Sequence, residues 1–277
     1  MNSINCKGKL LNLHEPVVMG IINATPDSFY RGHLKLNREE ILSFAGKMIQ
    51  EGAAILDIGG QSTRPGSEPI SVQEETDRVL PVVQSIHKVY PEIILSIDTY
   101  NPVVAKAAIA AGASIVNDIS GGTMDVNMLT TVAALQVPYI CMHIQGRPAT
   151  MQKNPVYADV VKEVLDFFIK KISDCMNAGI KDVIIDPGFG FGKTIEHNFQ
   201  LLKALAILSI TGKPILAGLS RKGTIYKTLG ITAAEALNGT TVLNTMALLN
   251  GASILRVHDV KEAQEAINLF NAYKKAP

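Results

Sequence analysis

Eight short apolar, β-rich runs recur along the chain, at residues 17–22, 55–58, 93–97, 114–116, 139–142, 183–185, 215–217 and 254–257. Continuous rather than alternating apolar character fits strands buried on both faces of a parallel sheet. Helical signals fill the intervals. Asn37 precedes Arg38-Glu39-Glu40 and then Ile41, Phe44, Ala45 and Met48: an N-cap, early acidic residues and an apolar stripe at helical spacing. Gly52 reads as the C-cap of that helix. Pro102 opens another, which ends at Gly112. Residues 157–178 (closed by Gly179), 195–208 and 260–272 read as further helices, and 233–250 as an extra helix before the last strand. Strands alternating with helices imply a parallel α/β fold. Eight of them in 277 residues favour a closed (β/α)8 TIM barrel over an open doubly wound sheet. Residues 1–277 read as one domain, with 1–16 as an N-terminal capping segment in which 4–13 form a short hairpin under the barrel.

A hydrophobic fraction of 47% is ample for a large core. The formal net charge of +1 gives no electrostatic argument for a nucleic-acid or membrane partner. Three scattered cysteines, Cys6, Cys141 and Cys175, form neither a disulfide framework nor a CxxC metal site. With no cleavable leader pattern and no apolar run long enough to span a bilayer, the chain reads as cytoplasmic.

The chemistry is concentrated immediately after each strand. Asn23 follows the first, Gly59-Gly60-Gln61-Ser62-Thr63-Arg64-Pro65-Gly66 the second, Asp98 the third, Asn117-Asp118 the fourth and His143 the fifth. Asp186-Pro187-Gly188-Phe189-Gly190-Phe191-Gly192-Lys193 follows the sixth and Ser220-Arg221-Lys222 the seventh, while Arg256 and His258 end the eighth. A barrel gathers these positions on one face, where barrel active sites are built. One polar residue after a strand is usually a helix cap. Polar groups at all eight ends imply a ligand, because buried charges need partners. Asp98, Asp186 and Asn117 suit a flat heterocycle rich in N–H groups. Arg64, Arg256 and His258 suit phosphate oxygens, and the Asn23 carbonyl suits Mg²⁺ on a pyrophosphate.

Residues 188–194 suggest a P-loop, but Pro187 stands where its first glycine is required. The better reading is a loop whose two phenylalanines, Phe189 and Phe191, wall an aromatic ligand. His14-Glu15 lacks the second histidine of a zinc motif.

Taken together, Asn23-Ala24-Thr25-Pro26-Asp27-Ser28-Phe29, Asp57-Ile58-Gly59-Gly60-Gln61-Ser62-Thr63-Arg64-Pro65-Gly66, Ser96-Ile97-Asp98-Thr99, Val116-Asn117-Asp118, Met142-His143, Asp186 to Lys193, Ser220-Arg221-Lys222 and Arg256-Val257-His258 resemble the dihydropteroate synthase family of pterin-binding barrels. The resemblance runs from about Val17 to the C-terminus. It implies an enzyme of folate biosynthesis that joins a dihydropterin pyrophosphate to p-aminobenzoate. It also implies roles. Asp98, Asn117, Asp186 and Lys222 would hold the pterin ring, with Met142 on its face. Asn23, Arg64, Arg256 and His258 would hold pyrophosphate with Mg²⁺, Asn23 being the metal ligand. Thr63, Pro65, Phe29, Phe191 and Ser220 would shape the p-aminobenzoate site. Asp98, Lys222, Arg64 and Asn23 would be the catalytic set, and the assembly a homodimer. The phosphate set separates this reading from a pterin-dependent methyltransferase on the same barrel. Intact loop motifs separate it from a pterin-binding protein without catalysis. Departures from the family pattern are Gln61 in place of a common Glu, Ala24 in place of Val, Tyr30-Arg31-Gly32-His33 in the first loop, and Gly223 after Ser-Arg-Lys.

Overall fold

A computed structural model describes residues 3–24, 38–62 and 66–277. Eight strands form one all-parallel sheet: β3 (Val17–Asn23), β4 (Ala53–Gly59), β5 (Ile94–Asp98), β6 (Ile115–Asp118), β7 (Tyr139–Met142), β8 (Val183–Asp186), β9 (Leu216–Ala217) and β10 (Ile254–Val257). They are ordered β8-β7-β6-β5-β4-β3-β10-β9. A parallel bridge between Ile185 and Ile215, with Ile185 N–H donating to the Pro214 carbonyl, joins the two outer strands and closes the barrel. The eight expected strands are the eight observed.

Among the described residues the helices are α1 (Arg38–Gln50), α2 (Val72–Val89), α3 (Pro102–Ala110), α4 (Met128–Leu135), α5 (Val160–Ala178), α6 (Ile195–Lys203), α7 (Gly223–Leu229), α8 (Leu237–Leu249) and α9 (Val260–Lys275). α7 and α8 both lie between the last two strands, so the extra helix is present, though it begins at Leu237 rather than residue 233. The helix expected from residue 157 begins at Val160, because Asp159 caps it by accepting from the Val161 and Lys162 N–H groups. Tyr157 belongs instead to the loop and donates to the Gly192 carbonyl. The helix expected over 195–208 stops at Lys203 and continues as a 3₁₀ turn, Leu205–Thr211. Leu201, Leu202, Leu205 and Leu208 are buried across that junction, so the apolar periodicity outlasts the change of helix type. The N-cap expected at Asn37 lies outside the described residues.

Strand alternation sorts the barrel interior into layers. Met19, Ile55, Ile94, Ile115, Ile140, Ile184, Leu216 and Ile254 form one buried apolar cluster. The antiparallel hairpin β1 (Ser3–Cys6) and β2 (Lys9–Asn12) adds Ile4, Cys6 and Leu11 to that cluster, and so plugs the N-terminal end of the barrel as expected. Two residues further along each strand stand Ile21, Asp57, Ser96, Asn117, Met142, Asp186, Gly218 and Arg256. The interior thus turns from apolar to polar within one step of the β-period. All three cysteines are buried free thiols. No described helix is long and apolar enough to cross a membrane.

Candidate active site

A cavity of about 1050 Å³ opens at the C-terminal strand ends. Asn23, Asp98, Phe191, Ser220, Lys222, Arg256 and His258 all line it. Asn117, Met142 and Asp186 are buried in the polar layer and the wall around it. Phe29, Thr63, Arg64 and Pro65 lie outside the described residues. Asp98, Asn117 and Ser220 do not cap helices: Asn101 caps α3, and neither α4 nor α7 has a side-chain cap. Helix capping therefore does not account for their polarity.

Arg256 organises the floor. Its Nε donates to Asp57 Oδ2 at 2.7 Å and its Nη2 to Asp98 Oδ2 at 2.6 Å. Asp57 Oδ2 also accepts from Asn117 Nδ2 at 2.9 Å. Three strands on different sides of the barrel are therefore tied through one carboxylate oxygen. The other oxygen, Asp57 Oδ1, is buried with no protein partner, as is Ser96 Oγ on the neighbouring strand. An unpartnered buried polar atom costs stability by about 1–3 kcal/mol. Burial pushes the Asp98 carboxyl up to about 7; the Arg256 charge opposes this, and nearby Asp57 and Glu75 add to it. Asp57 was not among the expected site residues.

Asp186 and Lys222 face each other across Gly218. A Cβ built on Gly218 would lie 3.6 Å from Lys222 Nζ and 3.9 Å from Asp186 Oδ2. Burial raises the Asp186 pKa, with the Lys222 charge opposing. Burial also lowers Lys222 to about 8, with Asp186 opposing. Lys222 Nζ donates to the Phe189 carbonyl and lies 4.6 Å from the Phe191 ring centroid. Only Phe191 walls the cavity. Phe189 is fully buried in the outer core, which corrects the expectation that both rings do so. Phe191 clusters with Met142, Ile119 and Met151, giving an apolar wall above the polar layer.

Lys193, the residue that suggested a P-loop, is a buried strut. Its Nζ donates to the Gly188 and Phe191 carbonyls at 3.0 and 3.1 Å and lies 2.9 Å from His143 Nδ1. Burial lowers it to about 7. Gly188 has φ +69° and its backbone lies against the His143 carbonyl, so a side chain there would collide. Loop 187–193 is thus fixed by its own lysine and glycines.

At the rim, Ser220 Oγ accepts from His258 N–H at 3.2 Å and lies 3.0 Å from His258 Nδ1. Desolvation, then the Arg256 charge, lower the His258 pKa in the ligand-free site. Arg221 is committed elsewhere, in a two-bond pair with Asp259 at 2.8 and 2.9 Å. Gln61 donates to Tyr100 Oη at 2.6 Å. No group of three His, Cys, Asp or Glu residues suited to a metal exists among the described residues.

Residues 19–258 match the family model described as pterin binding enzyme. Dihydropteroate synthase of Escherichia coli K12 is 42% identical over 268 residues, covering 96% of this chain and 94% of that protein. The chain belongs to the dihydropteroate synthase family of pterin-binding enzymes. Among solved structures, the Yersinia pestis dihydropteroate synthase in complex with a sulfonamide drug superposes with TM-score 0.94 at 39% identity, covering 99% of this chain and all of that one. The Xanthomonas albilineans dihydropteroate synthase with 4-aminobenzoic acid gives TM-score 0.93 at 40% identity, covering 100% and 99%.

Within this family member, the described part of the expected site converges on one cavity and the layer beneath it. Asp57 escapes a search of strand ends because it sits inside a strand. The signal that finds it is the two-residue period: counting back from Gly59 places Asp57 on the inner face.

Proposed function

We propose that this protein condenses 6-hydroxymethyl-7,8-dihydropterin pyrophosphate with p-aminobenzoate, giving 7,8-dihydropteroate and pyrophosphate in folate biosynthesis. The polar layer carries this reading. Acceptors (Asn117, Asp186) and cations (Lys222, Arg256) are sealed below by an apolar plug and flanked by Met142 and Phe191. Such a floor and wall suit a flat ring edged with N–H groups and ring acceptors. Asp186 accepts the N–H groups of the ring, Lys222 donates to its oxygen or nitrogen, and Met142 lies on its face. Arg256 Nη1, His258, Asn23 and Arg64 hold the pyrophosphate. Ser220, Phe191, Phe29, Thr63 and Pro65 shape the p-aminobenzoate end.

An aromatic amine is a weak nucleophile, whereas pyrophosphate held by cations leaves readily. The CH2–O bond therefore breaks first and its electron pair departs with pyrophosphate. The amine nitrogen then forms the C–N bond and loses a proton to water. Asp98, as the anion, offsets the positive charge that develops on the pterin. Neutral Asn23 offers a single oxygen, and with no metal-suited group of three His, Cys, Asp or Glu among the described residues this donor would suit Mg²⁺ that arrives on the substrate phosphates. The metal would supply charge neutralisation on the leaving group. The protein works in the cytoplasm as a homodimer; the exposed stripe Val242, Met246 and Leu249 on α8 supports a subunit contact.

The test is an assay of the purified protein with both substrates, with and without Mg²⁺. Equal amounts of 7,8-dihydropteroate and pyrophosphate, enhanced by Mg²⁺, are expected. Pterin binding without turnover would reduce the protein to a carrier and contradict the proposal.

A further inference from the structure

We propose that Asp57 is a positioning residue that fixes which end of the Asn117 amide is presented to the ring. This rests on the reading of the polar layer as a pterin floor. Asp57 lies on β4, is fully buried, and its Oδ2 is taken up by Arg256 Nε and Asn117 Nδ2. An amide has a donor end and an acceptor end of nearly equal shape. A carboxylate oxygen already receiving a guanidinium N–H from Arg256 accepts only. The Asn117 end facing Asp57 Oδ2 at 2.9 Å is therefore the NH2. The side-chain oxygen, Asn117 Oδ1, is turned the other way and accepts no hydrogen bond from a described residue. It is not one of the sealed, unpartnered atoms of the described residues, which are Asp57 Oδ1, Ser96 Oγ and Asn244 Oδ1. The floor consequently offers an acceptor to a ring N–H. Without the Asp57 anion the amide is free to turn over, setting donor against donor. A role in stability alone does not account for Asp57. One layer below, the same strands fill the barrel with isoleucine, whereas here an anion is kept with one oxygen unpaired.

The experiment is a double-mutant cycle read by calorimetric titration with 6-hydroxymethylpterin, which carries no phosphate, alongside melting curves. Unmutated protein, Asp57→Asn, Asn117→Ala and the double variant are compared. Asp57→Asn is expected to weaken pterin by about tenfold or more, the scale of one misdirected buried hydrogen bond. In the Asn117→Ala background the same change should weaken it by less than about twofold, because non-additivity marks residues that act through each other. The residue of that effect measures the hold on Arg256. Equal losses in both backgrounds, or no loss in either, overturn the proposal. Failure of the unmutated protein to bind the pterin would instead overturn the functional reading on which it rests. Should Asp57→Asn not fold, the side-chain amide of Asn117 in ¹⁵N-labelled unmutated protein decides. Slow exchange and a hydrogen-bonded shift, for a peak lost in Asn117→Ala, are expected; free exchange contradicts.

Discussion

The layer of Met19, Ile55, Ile140 and Ile184 and the layer of Asp57, Asn117, Asp186 and Arg256 are built by the same strands, two residues apart. The lower one is wholly apolar and sealed by the hairpin. Each isoleucine there contributes about 1.5–3 kcal/mol by burial. The upper one holds Asp186, whose pKa burial raises, and two unpartnered oxygens, and it borders Asp98, pushed up, and Lys222, pushed down. Shifts toward the neutral form mean that folding works against these charges. Stability is made below and given up above, at the end where barrels do chemistry. Separability of the two layers is therefore the first thing to attack.

Ile140→Ala should destabilise the fold by about 2–5 kcal/mol, the range for a fully buried large-to-small change. Pterin affinity per folded molecule should be unchanged; denaturant unfolding and calorimetry on the same sample check both. Asp186→Asn should do the reverse, costing roughly 2–4 kcal/mol of pterin binding, because half of a charge-assisted acceptor becomes a donor. Its fold should hold at neutral pH. With a folded pKa above the unfolded one, the stabilising proton is fully present only below the ordinary carboxylate range and is lost as pH rises. The native anion is thus a burden at pH 7 that Asn removes.

The upper layer divides further. His258→Ala should weaken pyrophosphate by about 1.5–3 kcal/mol and leave a phosphate-free pterin untouched, since its ring is at the rim. Arg256→Ala should weaken both, because it leaves Asp57 and Asp98 unpaired in the floor. A purely anion-selective loss for Arg256 would detach it from the floor. Pyrophosphate with Mg²⁺ should strengthen p-aminobenzoate binding by about 1–3 kcal/mol, with Arg64→Ala erasing the gain. Equal affinity in both conditions would mean a preformed pocket. The smallest effect is the acid limb of kcat/KM. With Asp98 required as the anion and its pKa near 7, activity should fall about tenfold per pH unit below that value. Asp98→Asn should lack this limb; an unchanged limb would assign it to another group.

The division was only half legible in the sequence. All eight strands were readable because burial on both faces leaves unbroken apolar runs. Three helices were not. α2 contains Pro81, which reads as a break, although the helix continues through it. α4 is eight residues of mostly apolar and threonine side chains with no side-chain cap, and α7 is seven residues beginning at glycine. In the site, Asp98, Asp186, Lys222 and Arg256 were readable as polar residues ending strands. Asp57 was hidden inside one, and the role of Lys193 as a strut depends on carbonyls and a histidine brought together only by folding.

One comparison tests the separation of layers most directly: chemical unfolding of the unmutated protein, Ile140→Ala and Asp186→Asn, each with and without 6-hydroxymethylpterin. A ligand at a hundred times its dissociation constant adds about 2.7 kcal/mol to stability. Ile140→Ala should start lower and show the full ligand gain. Asp186→Asn should start no lower than the unmutated protein and show almost none at the same pterin concentration. A full gain in Asp186→Asn, or a lost gain in Ile140→Ala, would contradict the account, because binding and stability would then not be divided between the two layers.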